Sequence, residues 1–141
     1  VELGTFGAIL KFAFEIESES INFYKKLSEN AQGDLKDLLS SFIEASKKNQ
    51  QLIERTRRMN VAEMILETIT GFDSDKYVVD LQASNDLRDC LNKAINLEEK
   101  SAQFYMDASN KLSFLPDVKR ILEKLGKDRE GRISKLKTIS V

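Results

Sequence analysis

Four pairs of polar residues interrupt four lines of otherwise apolar side chains: Glu17 with Ser20, Ser46 with Asn49, Glu98 with Ser101, and Arg129 with Arg132. Members of a pair are three residues apart, so on a helix they share one face. Two carboxylates turned into a protein can hold a metal ion, exchange a proton with a substrate, or pair with a cation. The rest of the sequence narrows these options. The chain contains no His, which removes the usual imidazole ligand and the usual general base. Arg129 and Arg132 are permanent cations with no lone pair to offer, so they repel a metal rather than bind it.

The elements that must carry these pairs are helices, because the apolar residues recur at alternating spacings of three and four. The first line is Leu10, Ala13, Glu17, Ser20, Tyr24, Leu27, and the second is Leu35, Leu39, Phe42, Ser46, Asn49, Ile53. The third runs Leu87, Leu91, Ala94, Glu98, Ser101, Tyr105, Ala108, Leu112, and the fourth Val118, Leu122, Leu125, Arg129, Arg132, Leu136, Ile139. Gly33 and Asp34 separate the first pair of helices, with Asp34 expected to cap the second. Pro116 suits the first turn of the fourth helix, with Asp117 beside its positive end. Both links are short, so each pair should form an antiparallel hairpin. Between the hairpins, residues 60–85 make a long crossover. Asn60 and Glu63 resemble a capping box for a short helix over 61–70 ending at Gly71. Asp73-Ser74-Asp75 reads as a turn, and Ser84 or Asn85 as the cap of the third helix. The expected fold is therefore all-α, one domain over residues 1–141: two helical hairpins joined by a long crossover containing a short helix.

Composition excludes several function classes. A formal net charge of −1 leaves no electrostatic footprint for nucleic acid or an anionic membrane. Arg55, Arg57 and Arg58 cluster near a helix end, where they favour its carbonyl dipole. No run approaches the roughly 18 apolar residues of a membrane span. The apolar opening stretch, residues 4–14, is followed by Glu15, Glu17 and Glu19 and reads as the start of a buried helix. Cys90 is the single cysteine. It has no partner for an intramolecular disulfide and no His to activate it, and it reads as a small core thiol in a cytoplasmic protein. Gly4-Thr5-Phe6-Gly7 lacks the Lys and the strand of a phosphate loop.

The two halves repeat. Glu17, Phe23, Tyr24 and Ser28 recur 81 residues later as Glu98, Phe104, Tyr105 and Ser109 (98 − 17 = 81). A period this long indicates a duplicated hairpin rather than a solenoid; the Phe-Tyr pairs read as core packing. On these motifs the chain resembles the rubrerythrin-like branch of the ferritin-like family. That resemblance implies a four-helix bundle in which Glu17 and Glu98 match iron ligands. It also implies a Glu-x-x-His on helices two and four, and the corresponding positions here are Ser46 with Asn49 and Arg129 with Arg132. Both halves of that metal motif are gone, so the di-iron site is degenerate and no cofactor is expected.

An unpaired buried carboxylate costs several kcal/mol or becomes neutral. The expectation is that Arg129 and Arg132 replace the metal electrostatically, pairing with Glu17 and Glu98 through the planar guanidinium fork, while Ser46 and Asn49 satisfy what remains. The resulting function is a non-catalytic helical module acting through structure or protein contact. Its expected surface is a bundle face or the crossover around Met64, Ile65, Leu66, Ile69 and Phe72, used by a homodimer or another protein. Two other readings stand beside it. One is a metal-binding oxidoreductase or iron-handling protein with a carboxylate-only site made by Glu17, Glu98 and carboxylates such as Glu44, Asp128 or Glu130. The other is an anion or small-molecule site formed by Arg129 and Arg132.

Overall fold

Thr5 starts the first helix, its hydroxyl accepting a hydrogen bond from the Ala8 amide at 3.0 Å. In the computed structural model, which describes residues 1–60, 68–82 and 84–139, four long helices follow in order. They are α1 (Phe6–Ser28), α2 (Gly33–Met59), α3 (Leu87–Lys111) and α4 (Pro116–Leu136), with a short 3-10 turn at Ser74–Tyr77 between α2 and α3. No strand is present among the described residues beyond an isolated bridge between Glu2 and Asp73. None of the described helices is long and apolar enough to cross a membrane.

Helix ends follow local chemistry, with two departures from the sequence expectation. Asp34 does not cap α2. Gly33, at φ 59°, turns the chain into the helix from Gln32, so Asp34 falls inside the first turn and acts there only through its charge. Neither Ser84 nor Asn85 caps α3 directly. Asp86 does so, accepting from the Arg88 amide at 3.0 Å, and Ser84 in turn accepts from the Asp86 amide at 3.1 Å. Pro116 takes the first turn of α4 with Asp117 beside it. Arg57 and Arg58 lie in the last turn of α2, where cations complement its carbonyl end.

The densest packing lies within α1/α2 and within α3/α4, with α1 against α3 and α2 against α4 completing the set. Side chains fix the directions. Gln50 reaches Ser18, and the Phe42 ring meets Tyr24 at 5.4 Å, so α2 runs back along α1. Two apolar clusters fill the interior. One gathers Phe6, Ile9, Leu10, Phe104, Leu112, Leu122 and Leu125; the other gathers Phe23, Leu27, Leu35, Leu39, Phe42, Leu91 and Leu136. Between them lies the level of the four polar pairs. The apolar ends of each sequence line thus build the two clusters, and the polar middles meet between them.

At 68–70 the crossover departs from the end of the expected short helix. Residues 61–67, with the capping box at Glu63 and with Met64, Ile65 and Leu66, lie outside the described residues. Thr68, Ile69 and Thr70 are not helical. Their backbone pairs with the start of the chain instead: Ile69 donates to the Gly4 carbonyl at 3.0 Å and Leu3 to that of Phe72 at 2.7 Å. Gly71 supplies the required positive φ of 71°. Ile69 and Phe72 are buried in the first cluster rather than left as surface, with the Phe72 ring stacked on Phe104 at 5.7 Å. The Asp73-Ser74-Asp75 turn leads into the 3-10 segment, capped by Asp73. Tyr77 then anchors it by donating its hydroxyl proton to Asp107.

Candidate functional site

Each long helix sends at least one of the six expected residues to the central level: Glu17 from α1, Ser46 and Asn49 from α2, Glu98 from α3, Arg129 and Arg132 from α4. Arg129 is at the middle, fully buried, as are Glu17 and Glu98. Its two terminal nitrogens go to different carboxylates. One donates to Glu17 Oε2 at 2.6 Å, the other to Glu98 Oε1 and to Ser20 Oγ, both at 3.0 Å. A single guanidinium therefore bridges α1 and α3 with one terminal nitrogen on each carboxylate, whereas the sequence suggested the two-bond fork of a guanidinium on one carboxylate.

Arg132 plays a different part. Its nitrogens stand 3.6 Å from Glu98 and 4.0 Å from Glu17, close enough for charge attraction, while its hydrogen bonds go to Ser46 Oγ and Asp128 Oδ2 at 3.0 Å each. The guanidinium also lies 5.4 Å from the centre of the Phe42 ring, a favourable cation–π distance. Asn49 donates to Glu17 Oε1 at 3.2 Å and to Asp128 Oδ2 at 3.3 Å.

Three residues join the ion-pair layer that the sequence reading had not placed in it. Tyr24 donates its hydroxyl proton to Glu98, and Tyr105 donates to Glu17. The repeated Glu and Tyr are thus exchanged between halves: each tyrosine serves the other half's carboxylate. Because the two bonds run in opposite order along α1 and α3, these helices are antiparallel at this level. The repeat itself carried the signal, a Glu and a Tyr seven residues apart on one face in both halves, but Phe-Tyr pairs ordinarily read as packing. Asp128 is the third. It lies off the core line of α4 and its side chain is 39% exposed, yet it closes the layer on the solvent side through Arg132 and Asn49. Glu44 and Glu130, its companions in the carboxylate-only reading, are exposed, with Glu44 beside Lys47 at 3.5 Å.

The electrostatics follow from this geometry. Burial pushes the Glu17 carboxyl up, but Arg129, Arg132 and the Tyr105 hydroxyl together outweigh it and hold the group below the usual carboxylate range. Burial also disfavours the Arg129 charge, and Glu17 and Glu98 more than restore it. Tyr24 and Tyr105 are pushed well above their ordinary range, first by burial and then by the carboxylates they serve. Both tyrosines are therefore neutral donors. The Nε atoms of Arg129 and Arg132 are buried without a hydrogen-bond partner.

Chemically, the acceptors of the layer are saturated. The carboxylate oxygens of Glu17 and Glu98 are engaged by guanidinium, hydroxyl or amide donors, which leaves no free base or nucleophile. A di-iron centre does not fit these residues: the space between the two carboxylates holds a guanidinium, and no imidazole faces it. Among the described residues no group of three or more His, Cys, Asp or Glu converges into a ligand set. The terminal nitrogens of both Arg residues are likewise taken by the layer, so they do not converge on an open anion site. Cys90 lies elsewhere, buried on the second cluster with its thiol toward the Ser84 carbonyl at 3.4 Å. It also lines a cavity of about 640 Å³ beside the end of α1. Comparison with protein-family models, with curated proteins and with solved structures finds no match to this chain.

Proposed function

We propose that this chain is a ferritin-like helical bundle of the rubrerythrin-like kind. In this reading an internal ion-pair layer stands where a di-iron centre would be, and the protein works as a non-catalytic structural or protein-contact module. The observation that carries the reading is Arg129, a fully buried guanidinium bonded to both Glu17 and Glu98. Those two Glu residues match the family's iron ligands on α1 and α3. Arg129 with Arg132, and Ser46 with Asn49, correspond to the family's Glu-x-x-His positions on α4 and α2; Arg129, Arg132 and Asn49 approach the two Glu residues, and Ser46 accepts from Arg132. Two tethered cations, Arg129 and Arg132, balance the two carboxylates there without any exchangeable metal, which preserves the bundle while removing redox chemistry.

Met59, at the end of α2, and Phe114, in the link between α3 and α4, are apolar side chains 77% and 42% exposed. A homodimer or another protein would cover them, and sedimentation of the purified chain checks the first.

Rebuilding the motif tests the placement. The variant Ser46→Glu, Asn49→His, Arg129→Glu, Arg132→His would restore carboxylate and imidazole at both positions. Titrated with Co(II), it should take up two ions per chain with the visible absorption of protein-bound cobalt, while the parent takes up none. A rebuilt variant that retains its helical circular dichroism yet binds no cobalt would show that these positions are not those of a di-iron site.

A further inference from the structure

The contacts around Arg129 separate into recognition and tether. All of its hydrogen bonds are made by the two terminal nitrogens, to Glu17, Glu98 and Ser20. Nε, the atom that joins the guanidinium to the rest of the side chain, makes none. The acceptors are also held in place by groups other than Arg129. Tyr24 fixes Glu98, Tyr105 and Asn49 fix Glu17, and Ser20 directs its own proton to the Ile16 carbonyl at 2.8 Å, which leaves its lone pairs toward the guanidinium. Every one of these residues belongs to α1, α2 or α3, whereas Arg129 enters from α4.

We propose that Glu17, Glu98 and Ser20 form a guanidinium receptor that the chain fills with its own Arg129, and that this receptor binds free alkylguanidinium cations once that side chain is removed. The proposal rests on the reading that an internal cation holds the layer together. Its ligand class follows from shape and charge. The receptor offers two carboxylates on opposite helices and one hydroxyl, which suits a planar cation with two outward-pointing amino groups. An ammonium ion is a compact point charge and presents no such pair at fixed geometry. A neutral urea of the same shape leaves the two carboxylates with Arg132 as their one remaining nearby cation, a positive charge short of balance.

The experiment uses Arg129→Ala, which removes the equivalent of an ethylguanidinium ion. Its thermal midpoint is followed by circular dichroism with ethylguanidinium, ethylammonium, ethylurea or NaCl, each at up to about 50 mM, far below the molar range in which guanidinium denatures. Ethylguanidinium alone should raise the midpoint, by roughly 3–6 °C at ten times its Kd. It should leave the parent unchanged, and the effect should vanish in Arg129→Ala/Glu17→Gln/Glu98→Gln. Equal shifts with ethylammonium or NaCl would overturn the proposal, since they report charge alone. So would a variant that is stable without ligand and indifferent to it, the result expected if Arg132 moves the remaining distance to the carboxylates. A variant that stays unfolded in ethylguanidinium while Arg129→Met folds overturns it too, because the receptor would then not be built by α1 to α3. Failure of the underlying non-metal reading appears separately, as iron bound by the unmodified chain.

Discussion

Replacing Arg129 by Met removes the charge at the centre of the layer while keeping most of the side-chain volume. Glu17 and Glu98 are then buried with Arg132, 4.0 Å from the first and 3.6 Å from the second, as the remaining cation. Breaking a buried ion pair from one side costs about 3–5 kcal/mol, because the partner charge is stranded. Arg129 serves two carboxylates, so the upper half of that range is expected. For a chain of this size the loss corresponds to a fall in thermal midpoint on the order of 10–20 °C. Glu17→Gln, which keeps shape and loses charge, should be destabilising by a smaller amount, since Gln can still accept from Tyr105 and Arg129. Converting the three central residues together, Arg129→Met with Glu17→Gln and Glu98→Gln, should recover much of the loss, as replacing a buried ion group whole is often close to neutral and Arg132 keeps Asp128 as its partner. Urea denaturation at neutral pH, read as a double-mutant cycle between Glu17 and Arg129, should give a coupling of at least about 2 kcal/mol. It should change little between low and high salt, because buried pairs are weakly screened. An Arg129→Met protein within about 0.5 kcal/mol of the parent, or an additive cycle, would refute the reasoning.

Tyr24→Phe and Tyr105→Phe should each cost about 1.5–3 kcal/mol, the range for hydrogen bonds to a charged group; their exchange between halves predicts similar losses, and a clear inequality in urea melts would contradict it. On the acid side, the Glu17 pKa is depressed in the fold, so its stabilisation is present above the unfolded value near 4.5 and lost as pH falls through the lower folded value. Stability should therefore drop below about pH 4.5, less steeply in Glu17→Gln. On the alkaline side, Tyr24 and Tyr105 have raised values, so stability is full below their unfolded value of 10.0 and declines above it. Ultraviolet titration should show both phenols ionising together with unfolding; ionisation in a chain that keeps its helices would argue against their burial.

Much of the fold was legible because helical spacing is a strong local signal. The four apolar lines became α1 to α4, and the polar middles of those lines became the layer between two apolar clusters. The layer's membership was legible for the same reason: a Glu or Arg in the middle of an apolar stripe has to be accounted for by a partner. Which partner was harder. Arg129 and Arg132 look equivalent in sequence, but Arg129 points between α1 and α3 while Arg132 is drawn aside by Ser46 and Asp128. Asp128 itself lies off the stripe, and only side-chain reach brings it in. The crossover was misread where it pairs with residues 1–4, a contact across 65 or more residues of chain that no local pattern encodes. Cap positions shifted by one or two residues because Ser84, Asn85 and Asp86 are all competent caps and the spacing of the loop selects among them.

The central claim is that a guanidinium occupies the place of a metal, and metal content tests it most directly. The unmodified protein, expressed with added iron, purified and challenged with Fe(II) in air, should contain no stoichiometric metal by mass spectrometry and should oxidise iron no faster than buffer. Two irons bound per chain would contradict the account, since Arg129 would then have to leave the space between Glu17 and Glu98.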